Sequence, residues 1–284
     1  MAGTREKQVH VTTVNLGIGG LSFSVNAGQP IDVSIALDFH GDQPSHFGAP
    51  PASAAVLESG GFTGDTREGG SCNCETLIIT PHCNGTHTEC VGHITGERIS
   101  VSQLALEPLI SAALVSVEPT PAQDSGETSQ PRPQMGDRLV TAAGLSAALG
   151  RLPEAPVDAL VIRTMPNEKE KMSRDYSKPP IPPYLTHEAM SLLVDQGIRH
   201  LLTDLPSVDR SHDEGQLAGH RLFWGLAPGE KAFARAARPQ STITEMIYVP
   251  DNVKDGLFAL SLQIAPFVTD AAPSRPILFP LEKR

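Results

Sequence analysis

Apolar residues along the chain follow two spacings, one typical of strands and one typical of helices, which indicates a mixed α/β protein. Strands are predicted in six segments, at residues 9–14, 31–37, 76–80, 157–162, 198–204 and 257–264. A helix is predicted over residues 186–197, because Thr186 suits an N-cap and Gly197 suits a C-terminal stop. A second helix is predicted over residues 101–114, with Pro108 in its first turn or at a kink.

The length and composition of the chain favour one domain. Its 284 residues are 39% hydrophobic, which is enough to bury a substantial core, so we predict a single domain over residues 1–284. Residues 118–136 are rich in Pro, Ser, Gln and acidic side chains and contain few apolar ones. Such a segment buries little surface to offset its ordering entropy, and we predict a mobile insertion there.

The net charge of −10 argues against nucleic acid and anionic membrane as partners, because attraction to phosphate would be reversed. The first ten residues form no apolar export segment, and no apolar run approaches the roughly 20 residues of a membrane span. We therefore expect a cytoplasmic protein that acts on a small molecule.

Possible metal ligands are concentrated in one stretch. All four cysteines lie at positions 72, 74, 83 and 90, and His82, His87 and His93 lie among or beside them. Two interpretations are open: a catalytic metal site with a free coordination position, or a closed structural zinc site. In the second, Cys72 and Cys74 would join Cys83.

Chain geometry limits which of these side chains can meet. Cys83 and His87 would lie about 13 Å apart on an extended chain, so the backbone must turn between them, and the Asn-Gly pair at 84–85 suits that turn. An extended backbone beyond it places His87, Glu89 and His93 on one face. His82 is the alternative to Cys83 if the turn has a different register.

The same stretch resembles the HxGTHxDxPxH signature of the metal-dependent cyclase family, which includes bacterial kynurenine formamidases and isatin hydrolase. Gly85, Thr86 and His87 match the central GTH, and His93 matches the final histidine. Cys83 stands at the first histidine position and Glu89 at the aspartate position. Further segments are similar to family motifs in the same order: 32–34, 159–164, 198–210, His220, Glu245 and 271–275.

The resemblance implies a swivelling β/β/α fold, with a mixed sheet and flanking helices, assembled as a homodimer. It implies one or two divalent ions. Cys83, His87 and Glu89 would hold the first, and Glu89 would bridge to a second held by His220 and Glu245. His93 and His220 would be the catalytic residues that move protons. A cysteine ligand favours zinc, with manganese as the alternative.

The activity implied by the resemblance is metal-dependent hydrolysis of a small amide, as in the arylformamidase step of tryptophan catabolism that converts N-formylkynurenine to kynurenine and formate. Two alternatives remain open. One is hydrolysis of a lactone or a cyclic imide on the same fold. The other is a non-catalytic scaffold that is held together by structural zinc.

Overall fold

The computed structural model describes residues 14–283, and within this range the chain forms seventeen strands and three α-helices. The strand predicted at 9–14 lies outside the described residues except for Val14. The helices are α1 (Ala142–Leu149), α2 (His187–Asp195) and α3 (Ala218–Trp224). The strands are β1 (Val14–Ile18), β2 (Leu21–Val25), β3 (Ile31–Asp32), β4 (Ser53–Val56), β5 (Glu58–Ser59), β6 (Phe62–Thr63), β7 (Glu75–Ile78), β8 (His87–Glu89), β9 (Ile110–Val117), β10 (Thr120–Pro121), β11 (Arg138–Val140), β12 (Ala159–Thr164), β13 (Tyr184–Leu185), β14 (His200–Thr203), β15 (Thr242–Glu245), β16 (Gly256–Ile264) and β17 (Ala271–Lys283).

Seven of these strands close into a mixed barrel. The order around it is β17, β16, β9, β12, β14, β15 and β8, and β8 pairs with β17 to complete the circle. The strands β9, β12, β14 and β15 are parallel, and the remaining pairings are antiparallel. The predicted mixed α/β class with a mixed sheet is confirmed, and the structure shows in addition that seven strands of the sheet close into a barrel.

The barrel strands carry apolar residues on both faces. One cluster joins Leu114, Val161 and Leu202 to residues of β16 and β17. The other cluster joins Ile243 and alternate residues of β9, β12 and β14 to all three helices, with Phe223 and Trp224 contributed by α3. Burial on two faces is typical of strands covered by helices.

Helix α2 was predicted closely. It spans His187–Asp195, and the Thr186 side chain accepts a hydrogen bond from the backbone N–H of Ala189, as an N-cap does. The strands predicted at 76–80, 157–162, 198–204 and 257–264 are also present with small shifts of their ends. The strand predicted at 31–37 is shorter, because only Ile31–Asp32 pairs with β17.

The helix predicted over 101–114 was wrong. A 3₁₀ turn covers Val101–Gln103, and Ile110–Val117 forms strand β9 between β12 and β16. The run from Ile110 to Val117 is buried almost throughout, so its apolar residues show no alternation. A continuous apolar run fits a central strand and a buried helix equally well, and only its position in the barrel decides between them.

The segment 118–136 contacts both neighbouring helices. The Glu127 carboxylate accepts hydrogen bonds from the backbone N–H groups of Ala142 and Ala143 at the start of α1. Thr128 donates hydrogen bonds to Glu188 in the first turn of α2. The mobility predicted for this segment remains a prediction. Within residues 14–283 the helices are all too short or too polar to cross a membrane.

Candidate metal centre

Two barrel strands place the predicted ligands together. Strand β15 ends at Glu245 and β8 begins at His87, and the two residues are antiparallel partners. Glu89 lies two positions after His87, so its side chain projects from the same face of β8. The side chain of Thr88 points to the other face, where it hydrogen-bonds Thr244 and Ser274. The parity predicted for His87 and Glu89 is therefore present.

The turn before β8 depends on Gly85 and Thr86. Gly85 has a φ of +89°, a conformation that side-chain-bearing residues rarely adopt. The Thr86 hydroxyl donates to the carbonyl of Met246 and accepts from the backbone N–H of Ile35, which fixes the turn against two other segments. His87 is then oriented by a 3.0 Å contact between its Nδ1 and the Gly85 carbonyl. That contact leaves Nε2 facing the carboxylates.

The Glu89 carboxylate is the centre of the cluster. Its Oε1 lies 3.0 Å from His220 Nε2, and its Oε2 lies 3.0 Å from His82 Nδ1. Across the cluster, His87 Nε2 lies 3.4 Å from Glu245 Oε2. Both Glu89 oxygens and His87 Nε2 are buried, yet none of the three makes a hydrogen bond of acceptable alignment.

Helix α3 supplies His220, and Asp209 fixes its orientation. The Asp209 carboxylate accepts a 2.6 Å hydrogen bond from His220 Nδ1 and further bonds from the backbone N–H groups of Gly219 and His220. This anchoring directs His220 Nε2 to Glu89. Burial alone would raise the pKa of Asp209, but the hydrogen bonds from His220 and Gly219 outweigh it, and the pKa is lowered.

His93 reaches Glu89 because β8 stops at Glu89. Residues Val91–His93 form a 3₁₀ turn that brings His93 Nε2 back to 3.8 Å from Glu89 Oε2. The prediction that His93 and Glu89 share a side was right, although a helical turn rather than an extended strand is the cause. The opposite nitrogen of His93 lies 3.5 Å from Asp270 Oδ2.

The carboxylates and imidazoles of the cluster change one another's pKa values. Burial opposes the charge of Glu89, but the neighbouring imidazoles of His93 and His220 outweigh it and hold the Glu89 pKa well below its ordinary value. Burial likewise disfavours the charged form of His220, while the Glu89 charge and the Asp209 hydrogen bond raise its pKa well above the ordinary value. Burial also opposes the charge of His82, but its hydrogen bond to Asp270 and its close contact with the Glu89 carboxylate raise its pKa to about 10.

The donor set fits a divalent cation. His87, Glu89 and Glu245 offer one ligand atom each, and these atoms lie within 4.8 Å of one another; His82, Glu89 and His93 form a second group of the same kind. The unpartnered buried atoms of Glu89 and His87 belong to these groups. Buried carboxylates and imidazoles without hydrogen bonds are costly unless a cation coordinates them, so both groups meet the requirements of a metal site.

The cysteines lie outside these groups. Cys83 is buried, and its thiol pKa is raised by burial and by the charge of Glu245. Among the described residues neither ligand group includes a cysteine, so the structural zinc site of Cys72, Cys74 and Cys83 is not assembled. Cys72 is exposed, whereas Cys90 is packed between strand β17 and residues 99–104.

Three residues of the site were not predicted as functional from the sequence. Asp209 was included only as part of the family-like segment 198–210, and Asp270 was not singled out. His46 is buried with both ring nitrogens unpartnered, and burial with nearby His87 and His212 lowers its pKa to about 4. Asp209 belongs to the family-like segment 198–210, and a carboxylate beside a ligand histidine is the usual orienting partner, so a signal for Asp209 existed.

The fold is similar to that of several solved structures. A predicted metal-dependent hydrolase from Bacillus stearothermophilus is 16% identical and has a TM-score of 0.56, covering 88% of this chain and 98% of that one. Isatin hydrolase A from Labrenzia aggregata, bound to benzyl benzoate, is 15% identical with a TM-score of 0.57, covering 89% of this chain and 94% of that one. Isatin hydrolase A from Ralstonia solanacearum is 15% identical with a TM-score of 0.57, covering 88% of this chain and 91% of that one. At these identities the likeness concerns the fold.

The family follows from sequence. The model of the cyclase family matches residues 31–210, which is more than half of the chain, and the protein therefore belongs to that family. This confirms the resemblance inferred from the GTH segment and the motifs that follow it. None of the curated proteins matches the chain.

Proposed function

We propose that this protein is a metal-dependent hydrolase of a small amide, with an aryl formamide such as N-formylkynurenine as the first substrate class. The observation that carries the proposal is the Glu89 carboxylate, which is fully buried, has no aligned hydrogen bond, and is surrounded by imidazoles. Membership of the cyclase family and the fold shared with isatin hydrolases support it.

His87, Glu89 and Glu245 would hold the ion, with His220 adjacent. A divalent ion at such a site polarises a substrate carbonyl and makes a water molecule more acidic. Two carboxylates and one imidazole form a harder ligand set than a site with a thiolate, so manganese is as suitable as zinc. We propose that both ions support activity, which extends the expectation of zinc drawn from Cys83.

His93 is suited to proton transfer. Its side chain is 26% exposed, whereas those of His87 and His220 are almost fully buried, so it can contact both substrate and solvent. Asp270 lies on its Nδ1 side, which leaves Nε2 directed into the site. His93 would accept a proton as water attacks the carbonyl and return it to the leaving nitrogen. His220, held by Asp209, would stabilise the charge that develops nearby.

Hydrolysis of a lactone or cyclic imide is the second candidate. The name of the isatin hydrolases indicates opening of a cyclic amide, and such a substrate needs the same carbonyl activation. We also propose a homodimer, as the family resemblance implies, and a cytoplasmic location, as the sequence features led us to expect. The non-catalytic scaffold with structural zinc has less support, because its cysteines do not come together.

A substrate panel tests the proposal. Chelator-stripped protein is reloaded with zinc or manganese and assayed with N-formylkynurenine, an aryl lactone, isatin and phthalimide. We expect metal-dependent turnover of at least one compound and loss of turnover in His93→Gln. The matched control is His40→Gln, since His40 is an exposed histidine that pairs with Glu75 and belongs to neither ligand group. Absence of turnover of every compound by metal-loaded protein would refute the proposal.

A further inference from the structure

His82 and His93 form a pair of stacked imidazoles between two carboxylates. Their ring centroids are 4.1 Å apart with an interplanar angle of 30°. His82 Nε2 lies 2.8 Å from Asp270 Oδ2, and His93 Nδ1 lies 3.5 Å from the same oxygen. The other nitrogens, His82 Nδ1 and His93 Nε2, lie 3.0 and 3.8 Å from Glu89 Oε2. Each ring therefore spans from Asp270 to Glu89.

The two ends of this arrangement differ. At the Asp270 end, His82 Nε2 makes an aligned hydrogen bond to Asp270 Oδ2. At the Glu89 end, Oε2 makes no aligned hydrogen bond, although two nitrogens lie close to it. A histidine that ligates a metal through one ring nitrogen usually donates a hydrogen bond from the other nitrogen to a carboxylate. Asp270 Oδ2 binds His82 in this way and lies 3.5 Å from His93 Nδ1.

The turn before β8 places the side chain of His82, rather than that of Cys83, beside Glu89. The backbone N–H groups of Cys83 and Asn84 both donate to the Thr80 carbonyl, and the Asn84 side chain accepts from the Thr80 N–H. This tight turn directs Cys83 into a buried position, whereas the side chain of His82 is 25% exposed at the edge of the site. His82 lies one position before the family signature begins, so its contribution is a property of this chain.

We infer that His82, Glu89 and His93 form a second zinc-binding position, distinct from the ion held by His87, Glu89 and Glu245, and that zinc bound there inhibits the enzyme. Two histidines and one glutamate are a ligand set that zinc uses in proteins, with a further coordination position open. Glu89 contributes Oε2 to this position, while Oε1 faces His220.

Inhibition follows from the use of His93 as a ligand. A histidine that coordinates zinc through Nε2 cannot carry a proton on that nitrogen, so the proton transfer assigned to His93 stops. Low zinc concentration would fill the buried carboxylate-rich position and activate the enzyme, and excess zinc would fill the outer position and inhibit it. The inhibitory part of this inference rests on the proposed function, whereas the zinc-binding part does not.

Zinc stoichiometry provides the direct test. Chelator-stripped full-length protein is titrated with zinc chloride by calorimetry, and bound zinc is counted by mass spectrometry after dialysis. We expect two equivalents for the wild type and one for His82→Gln, with the second dissociation constant raised at least about tenfold. Glu245→Gln is the reciprocal variant and should weaken the other equivalent. His40→Gln, which alters an exposed histidine beside Glu75, should bind as the wild type does.

The dependence of the turnover rate on free zinc concentration provides the second test. In the wild type the rate should rise and then fall as zinc increases, and in His82→Gln the fall should move to at least about tenfold higher zinc, relative to that variant's own maximum. A single zinc equivalent in the wild type, or two unchanged equivalents in His82→Gln, would overturn the inference. If the binding pattern holds and no compound is turned over, zinc binding is supported and the proposed hydrolase function fails on its own.

Discussion

Asp209 accepts a 2.6 Å hydrogen bond from His220 Nδ1, and the opposite nitrogen of that ring lies 3.0 Å from Glu89 Oε1. The bond fixes the tautomer and the rotation of a ring that is almost fully buried. Asp209 also accepts from the first turn of α3, so the same carboxylate locates the helix and its histidine. The position of α3 and the geometry of the metal centre are therefore coupled.

Replacing Asp209 by Asn should lower metal affinity or turnover by about 10- to 100-fold, because an amide is a weaker acceptor and can present the wrong group to His220. Turnover and metal affinity are measured on the same preparation. Asp213→Asn is the matched control, since Asp213 accepts only backbone hydrogen bonds, from Gly215 and Leu217. Equal losses in the two variants would show that Asp209 acts only through folding.

Removing the metal should lower the melting temperature without unfolding the protein. Glu89 and Glu245 are buried near each other, and a bound cation stabilises that arrangement by about 4 kcal/mol when its concentration is 1,000 times the dissociation constant. Differential scanning fluorimetry with and without chelator measures the difference. The His87→Ala substitution should strongly reduce this difference in melting temperature. Complete unfolding on chelation would instead favour the structural zinc scaffold.

Glu127 should stabilise two helices at once. Its carboxylate accepts from the N–H groups of Ala142 and Ala143 and from the Thr186 hydroxyl, which is the N-cap of α2. Glu127→Ala should therefore lower the free energy of unfolding by about 1 to 2 kcal/mol, in line with loss of a helix cap. Urea denaturation measures this change.

Glu118→Ala is the control for Glu127, because it makes the same substitution in the same acidic segment. Hydrogen exchange across residues 118–136 tests the mobility predicted from composition. Slow exchange in the wild type and faster exchange in Glu127→Ala would show that the caps order the segment. Fast exchange in both proteins would mean that the segment is mobile, as its composition predicts, and that the hydrogen bonds of Glu127 do not order it.

The sequence predicted the grouping of the candidate ligands His87, Glu89 and Glu245, but it did not predict the closure of the barrel. His87, Glu89 and Glu245 could be identified because the Asn-Gly turn, the alternation of β8 and the family pattern all constrain the same short segments. The closing of the barrel could not be predicted in this way, because it depends on the pairing of β8 with both β15 and β17. The residues of these two strands lie more than 150 positions after β8 in the chain. Pairing over such separations leaves no local pattern.

The same reason explains the errors. Strand β9 resembles a helix in sequence because its apolar run is continuous, and its neighbours β12 and β16 are distant in the chain. Asp270 reaches His82 across 188 residues, so its role appears only in three dimensions. Some family-like segments instead meet one another: Arg275 donates to Asp32, and Thr164 donates to Asp204. These contacts support the fold rather than the chemistry.

Acid should destabilise the protein partly through His200. This residue is fully buried at the start of β14, where Nδ1 contacts Thr242 Oγ1 at 2.9 Å and Nε2 has no partner. Burial and the nearby charge of Arg199 lower its pKa from 6.5 to about 4. Between these values the unfolded chain binds a proton that the folded chain does not, so the stabilisation is complete above pH 6.5 and is lost as the pH falls toward 4.

The shift of the His200 pKa corresponds to about 3 kcal/mol at most. His200→Asn retains a polar atom near Thr242 but does not titrate, so the difference in unfolding free energy between the wild type and this variant should shrink from pH 7 to pH 4. Urea denaturation at several pH values measures that difference, and contributions from other histidines cancel in it. His40→Asn, at an exposed position, should show a constant difference. A constant difference for His200→Asn as well would mean that His200 does not contribute to acid sensitivity.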